Sequence, residues 1–442
     1  MNTSPIHSLA AATLLMLSTS QVFAGPQIEH WIMDNGARVY FVSSTALPLI
    51  DIQVDFAAGS AYDPQNKAGL AGLTFDLLQS GTDKMNEQTI ADSLADTGGQ
   101  LSTSTDLDRS SLSIRTLSSK PEREAIIGLA TDLLTNPTFP PNAVQREKAR
   151  SIAALKEALT RPSTLTDRRF NEAIYSGHPY GRSPDVTSLE RITQSDLVNF
   201  HQRFVVTKNA TITIVGDVTR ADAEGIANTL MAGLPAGQAA PALPQPGQPE
   251  ALTEHISNPS AQAHIQAGMP GMTRDDPDYF PLLVGNYILG GGGFVSRLMV
   301  EVREKRGFAY SVYSYFMPNR VAGPFVIGLQ TRGSQAEDAI AVVRDVLQQF
   351  VSGGPTDEEL NAAKDNLVNG FGLRLDSNAK IAGYVSMIGF YQLPPDWLDT
   401  YLQHVKNVTN DQIRDAFQRR VRKEHLVIIS AGGDGDVHDT AE

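Results

Sequence analysis

The chain has 442 residues, 41% hydrophobic and 19% charged, the composition of a globular protein long enough for two or more full cores. A formal net charge of −13, with no basic run to offset it, argues against nucleic acid and anionic membrane surfaces as partners. There are no cysteines, so disulfides, thiol catalysis and Cys-ligated zinc are excluded, a composition that suits an oxidising compartment such as the bacterial periplasm.

In chain order, the first feature is the apolar stretch Leu9–Ser18, which has the length of the apolar core of a secretory leader and is too short to span a bilayer. Val22-Phe23-Ala24 resembles its cleavage site, although the preceding MNTSPIH carries no Lys or Arg. The expectation is a leader over 1–24, a mature chain from Gly25, periplasmic localisation and no membrane anchor. Trp31–Val42 then reads as a hairpin across Asp34-Asn35-Gly36, and Leu49–Ala57 and Ser110–Leu117 alternate apolar and polar residues as strands do. Helical patterns cover Leu70–Leu78, Asn86–Thr97, Pro121–Thr135 and Ala143–Leu159.

Two segments echo each other. ITQSDLVNFHQRFVVTKNATITIVGD (Ile192–Asp217) and VTNDQIRDAFQRRVRKEHLVIISAGGD (Val408–Asp434) each open on a helix-capping Thr, continue as a short amphipathic helix and end in a β-rich run. The same offset of 216 residues sets Pro141–Leu155 opposite Asp357–Phe371, with Lys148 over Lys364. Two features agreeing at one offset predict an internal duplication. The Pro-, Gly- and Ala-rich Leu234–Leu252 between the copies reads as an extended linker. The predicted organisation is therefore a domain over 25–234, a linker over 235–252 and a second domain over 253–442. Each domain is expected to be α+β, a mainly antiparallel sheet with helices on one face.

In the second half, Ile288–Phe316 (ILGGGGFVSRLMVEVREKRGFAYSVYSYF) predicts a glycine loop at Gly290–Gly293, a helix over Ser296–Lys305 stopped by Gly307, and an alternating strand over Phe308–Phe316. A glycine loop before a helix suits phosphate, but no Lys-Ser/Thr follows it and no Rossmann-type acidic residue accompanies it.

Gly69–Thr82 (GLAGLTFDLLQSGT) resembles the segment of M16 (pitrilysin-like, inverzincin) peptidases that carries H-x-x-E-H, and the resemblance extends over essentially the whole mature chain. It implies two homologous domains forming half of a clamshell. It also places the two zinc-ligand positions on Gly72 and Asp76 and the general base on Phe75. Two imidazoles one helical turn apart and a carboxylate are what such a metal site requires, and all three are missing. No two of the nine histidines lie within five residues of each other, and the stretch matching the downstream Glu ligand, Ser151–Leu155, has no carboxylate, with Glu147 and Glu157 nearby. Asp63 and Asp76 read as exposed carboxylates near a helix. His178-Pro179-Tyr180-Gly181 matches an HPYG turn of the family and reads as structural. The family's G-G-x-x-N-A-like strand keeps Gly98-Gly99 but has Ser102 and Thr103 where the Asn would lie.

By contrast, the second half closely resembles the family's R/Y element. Arg303 and Tyr310 stand seven residues apart, with Arg306 as the alternative to Arg303. The resemblance implies that Arg303 and Tyr310 hydrogen-bond the substrate backbone beside the scissile carbonyl, where fixed donors stabilise an oxyanion, with Gly290, Gly291, Gly292 and Gly293 against the substrate. The expectation is the non-metal subunit of a heterodimeric periplasmic zinc peptidase of the M16B type. It binds no cofactor itself. Zinc comes from an M16 partner with an intact H-x-x-E-H, and the substrate is an unfolded peptide. The alternative is a non-catalytic peptide-binding or scaffold protein of the same fold.

Overall fold

A computed structural model of the protein describes residues 25–435; the leader predicted over 1–24 lies outside the described residues. The chain builds two sheets. The first comprises β1 (Glu29–Ile32), β2 (Arg38–Ser43), β3 (Leu49–Phe56), β4 (Gln100–Thr105), β5 (Ser110–Leu117) and β6 (Ala210–Gly216), in the order β1-β2-β6-β3-β5-β4. The second comprises β7 (Leu252–Ile256), β8 (Gln262–Met272), β9 (Ala309–Phe316), β10 (Gly323–Arg332) and β11 (Val427–Gly432), in the order β7-β11-β8-β10-β9. Only β2–β6 and β7–β11 pair in parallel, so each sheet is mixed but mainly antiparallel, as expected. β4 and β9 are equivalent edge strands with one free side each.

The duplication is explicit in the structure. Four helices begin 216 residues apart in the two halves: Lys120 and Ala336, Pro141 and Asp357, Pro162 and Asn378, Gln194 and Asn410. Thr193 and Thr409 cap the last pair, each side-chain oxygen accepting from a backbone N–H in the first turn.

Helices cover one face of each sheet, as the sequence predicts, and bury most of each core. The opposite face is covered as well, by a helix from the other half. Pro162–Ile174 lies on β8 and β11, and Asn378–Tyr391 lies on β6, β3 and β2. This crossing explains why every residue of β6 is buried, since a strand covered on both faces leaves no side solvated. The approach is close: a Cβ at Gly389 would lie 2.6 Å from the Tyr40 ring and 3.0 Å from Thr211.

Polar groups lock the crossing. Asp55 is fully buried and accepts from Ser111 Oγ and Ser386 Oγ, each at 2.6 Å, with Arg109 at 3.5 Å. Asp108 accepts from the hydroxyls of Tyr180 and Tyr391 and from the Arg320 backbone N–H. Both carboxylates bridge the halves, and a buried charge persists only when hydrogen-bonded in this way.

The segment between Met231 and Leu252 is extended and anchored. Arg203 donates to Gln238 O, Lys208 N–H to Ala236 O, and His425 Nδ1–H to Pro249 O. No helix of the described residues is long and apolar enough to cross a membrane.

His201 is buried beneath this fold, its Nε2 donating to Leu134 O at 2.8 Å, and burial pushes its imidazole down to about 4. The unfolded chain therefore takes up a proton near pH 6.5 that the folded chain refuses. Stability from this group is complete above pH 6.5 and is lost as pH falls toward 4, by about 3 kcal/mol. Urea unfolding across that range should show the loss, and His201→Gln should flatten it.

Candidate functional site

The vacated helix spans Leu70–Asp76. Asp63 holds its start: its carboxylate accepts from Gly69 N–H at 2.7 Å and Ala71 N–H at 2.8 Å. Burial pushes the Asp63 carboxyl up to about 7, against those backbone donors. Asp63 is therefore a buried cap of this helix and not the exposed carboxylate expected from the sequence. Phe75, at the general-base position, has no solvent exposure and packs on Phe56 with ring centroids 6.2 Å apart. Gly72, at the first ligand position, has open space above it, with nothing within 4 Å of an added Cβ.

Asp76 stands near Glu147, one of the two carboxylates flanking the stretch expected to hold the downstream ligand. Crowding by protein and the Glu147 charge push the Asp76 carboxyl up, while Arg150 opposes them. Arg150 Nη2 lies 2.6 Å from Glu147 Oε1, so a guanidinium supplies the positive charge at this cluster. Glu157 pairs elsewhere, with Arg161. Zinc does not fit these residues, which lack imidazoles and place an aromatic ring where a base would stand. Among the described residues there is no group of three or more His, Cys, Asp or Glu able to hold a metal.

His178 accepts the Tyr180 N–H on Nδ1, which leaves Nε2–H to donate to Pro244 O at 2.9 Å. Burial lowers its pKa, and it clasps the linker as a neutral ring. Ser102 and Thr103 lie on β4, whose outer edge is unpaired.

The second half differs from its sequence reading in three local ways. First, the glycines are not one open loop. Helix Tyr279–Asn286 widens into a π-type turn over Tyr287–Gly291, closed by Gly292 N–H to Tyr287 O at 2.7 Å. Gly290 is buried against β9, where a Cβ would lie 2.5 Å from Ser314 Oγ, so it serves packing. Gly291, Gly292 and Gly293 are left at or near the surface. Second, the helix predicted over Ser296–Lys305 is mainly a second π-type turn, Met299–Glu304, with Lys305 N–H bonded to Val300 O. Such wide turns concentrate at functional sites.

Third, the predicted alternation of β9 breaks. Ala309 pairs with Thr331 and Val312 with Leu329, so Tyr310 and Ser311 together face Gln330 alone. This is a β-bulge, and it turns both residues outward, whereas strict alternation would bury Tyr310 on the side of Val312. Tyr310 is 84% exposed.

Arg303 sits with its guanidinium carbon 4.7 Å from the Tyr310 ring centroid and 4.8 Å from that of Phe294. Among the described residues it makes no ion pair. Its neighbours are committed: Arg306 to Glu301 at 2.7 Å and Lys305 to Glu301 at 2.6 Å. The structure thus brings Arg303 and Tyr310 together and leaves both free to meet a ligand. Phe294, which sequence reasoning missed, completes the stack on Arg303.

Fold and site define a duplicated α+β protein whose first half has a metallopeptidase-type helix without ligands. The family described as "Insulinase (Peptidase family M16)" matches residues 38–185, and "Peptidase M16 inactive domain" matches residues 191–367. A crystal structure titled as a peptidase M16 inactive domain from Pseudomonas fluorescens has a TM-score of 0.89 and 37% identity, covering 92% of this chain and 97% of that one. The "Non-peptidase homolog YmxG" of Helicobacter pylori is 26% identical over 381 residues, 85% of this chain and 87% of its own. The periplasmic protease PqqL of Escherichia coli shares the fold at TM-score 0.76 and 17% identity, but this chain covers only 49% of it. The chain belongs to the M16 peptidase family and lacks that family's metal-ligand set at Gly72, Phe75 and Asp76.

Two predictions test this geometry. Restoring the motif with Gly72→His, Phe75→Glu and Asp76→His should fail, because a carboxylate at Phe75 enters the core at a cost of about 3–5 kcal/mol. The denaturation midpoint should fall sharply for any variant containing Phe75→Glu and little for Gly72→His/Asp76→His. Tetranitromethane at low excess should nitrate Tyr310 ahead of the buried tyrosines, as peptide mass mapping would show.

Proposed function

We propose that this chain is the non-metal subunit of a heterodimeric M16 zinc peptidase, supplying Arg303 and Tyr310 to a site whose zinc is held by a partner chain with an intact H-x-x-E-H. The observation that carries this reading is the outward bulge at Tyr310 with an unpaired Arg303 stacked on its ring. A strand edge distorted to expose a phenol, beside a guanidinium with no carboxylate, offers two donors to a peptide carbonyl.

The match to about half of a longer protease's fold supports a reading in which a second half completes the enclosure. Gly291, Gly292 and Gly293 border the same surface and present backbone to the substrate. The leader-like stretch Leu9–Ser18 and the absence of cysteine support a periplasmic setting. The substrate is an unfolded peptide, held by edge-strand pairing and cut at the partner's metal. The name of the Helicobacter pylori relative supports a second reading, a scaffold or peptide-binding protein with no part in cleavage.

Co-expression with an M16 chain carrying H-x-x-E-H, followed by cleavage assays of a quenched fluorescent peptide, separates the two. Each chain alone should be inactive and the complex active. Tyr310→Phe should lower kcat of the complex by about 10²-fold, the effect of losing one oxyanion donor. A complex that cleaves equally well with Tyr310→Phe and Arg303→Ala would leave the scaffold reading standing.

A further inference from the structure

A second concavity lies away from β9, where three elements of the second half converge. Arg274 comes from the turn after β8 and Tyr279 from the start of helix Tyr279–Asn286, Leu373 and Arg374 from the turn Phe371–Arg374, and Gly383, Tyr384 and Met387 from helix Asn378–Tyr391. It is an open depression with about 540 Å³ of space, room for one or two residues of a peptide and far too little for a folded domain.

Its charge is unusual for this chain. No carboxylate lines it, although the protein carries a net charge of −13. Among the described residues, neither Arg274 nor Arg374 makes an ion pair. Arg374 lies beside Tyr384 and Arg274 beside Tyr279, while Nε of Arg274 is buried with no hydrogen-bond partner. Nearby arginines behave differently: Arg419 and Arg420 pair with Asp278 and Asp276 at 2.6 and 2.8 Å. Lys380 at the rim is paired with Asp376. Two guanidiniums without counter-ions, walled by tyrosine rings, are fitted to an anion.

The rest of the wall is apolar. Leu373 is 71% exposed and Met387 lines the concavity. Gly383 keeps it open: no atom lies within 4 Å of an added Cβ, so packing does not demand a glycine there. A glycine inside a helix weakens it, and here its effect is an unfilled space beside the arginines.

We propose that this concavity binds the C-terminal carboxylate of an unfolded peptide that ends in an apolar residue. Arg274 and Arg374 take the carboxylate, and the last side chain lies on Leu373 and Met387 over Gly383. The proposal rests on reading this chain as one that handles unfolded peptide, and it assigns where the peptide's end is held.

The test is binding to the single chain, without a partner, so its outcome is independent of cleavage. A nonapeptide ending in Leu, labelled with fluorescein at its N-terminus, is titrated by fluorescence anisotropy in free-acid and C-terminal-amide forms. The acid should bind at least about tenfold more tightly than the amide, and the difference should shrink with salt. Gly383→Leu, a helix-favouring change that fills the space, should abolish the preference without lowering the Tm, and Arg374→Gln, at an exposed position, should do the same. Equal binding of acid and amide, no binding of either, or an unchanged preference in Arg374→Gln would overturn the proposal. Displacement of the peptide by decanoate at the peptide's own Kd would assign the site to free fatty acids and overturn it as a peptide site. If the proposal fails while Tyr310→Phe still impairs the reconstituted complex, only the end-binding site is lost.

Discussion

The structure depends on two helices that cross between halves. Each sheet has an outer face that its own helices do not reach, and the helix covering it belongs to the other half. Removing either helix would bare an apolar sheet face, with large side chains worth roughly 1.5–3 kcal/mol each on burial. Removing Asn378–Tyr391 would also strip Ser386 from Asp55 and Tyr391 from Asp108, two interior carboxylates that depend on their hydrogen bonds. The crossing therefore fixes the orientation of the halves. It covers faces rather than edges, so β4 and β9, like β1 and β7 at the opposite ends of the sheets, keep one side without a partner strand.

The two edges have had different histories. Beside β4, the metal-type helix has become structural: its ligand position is bare glycine, its base position is a core phenylalanine, and its remaining carboxylate shares a cluster with Arg150. At β9 the backbone is distorted twice, by the π-type turns before it and by the bulge within it, and both distortions bear on Arg303 and Tyr310. Departures from regular hydrogen bonding persist only where surrounding packing holds them, and here the buried Gly290 against Ser314 provides part of that support.

Much of this was legible in the sequence. β5 spans Ser110–Leu117 as its alternation predicts, and the 216-residue offset holds to the residue at four helix starts. The missing ligands could be read directly from Gly72, Phe75 and Asp76. The crossing helices were not legible. Asn378–Tyr391 is apolar on nearly all sides because it packs on both halves, so it shows no amphipathic stripe, and Pro162–Ile174 is recognisable mainly through its 216-residue counterpart. The bulge was hidden for a related reason. Phe308–Phe316 has residues compatible with either register, and the choice is made by pairing with Leu329 and Thr331, far along the chain. The concavity at Arg274 and Arg374 joins residues a hundred positions apart, which no local pattern reports.

The crossing has a further implication for how such a chain could arise. One half alone cannot satisfy its own outer sheet face, yet it carries a helix that satisfies an identical one. Two copies of a single half would therefore complete each other by mutual exchange, as an isologous, two-fold symmetric swapped dimer. Joining the copies through the extended segment between Met231 and Leu252 converts that dimer into one polypeptide without remaking the interface. Once fused, each copy became free to diverge, which is how one edge could lose its chemistry while its symmetry mate kept Arg303 and Tyr310.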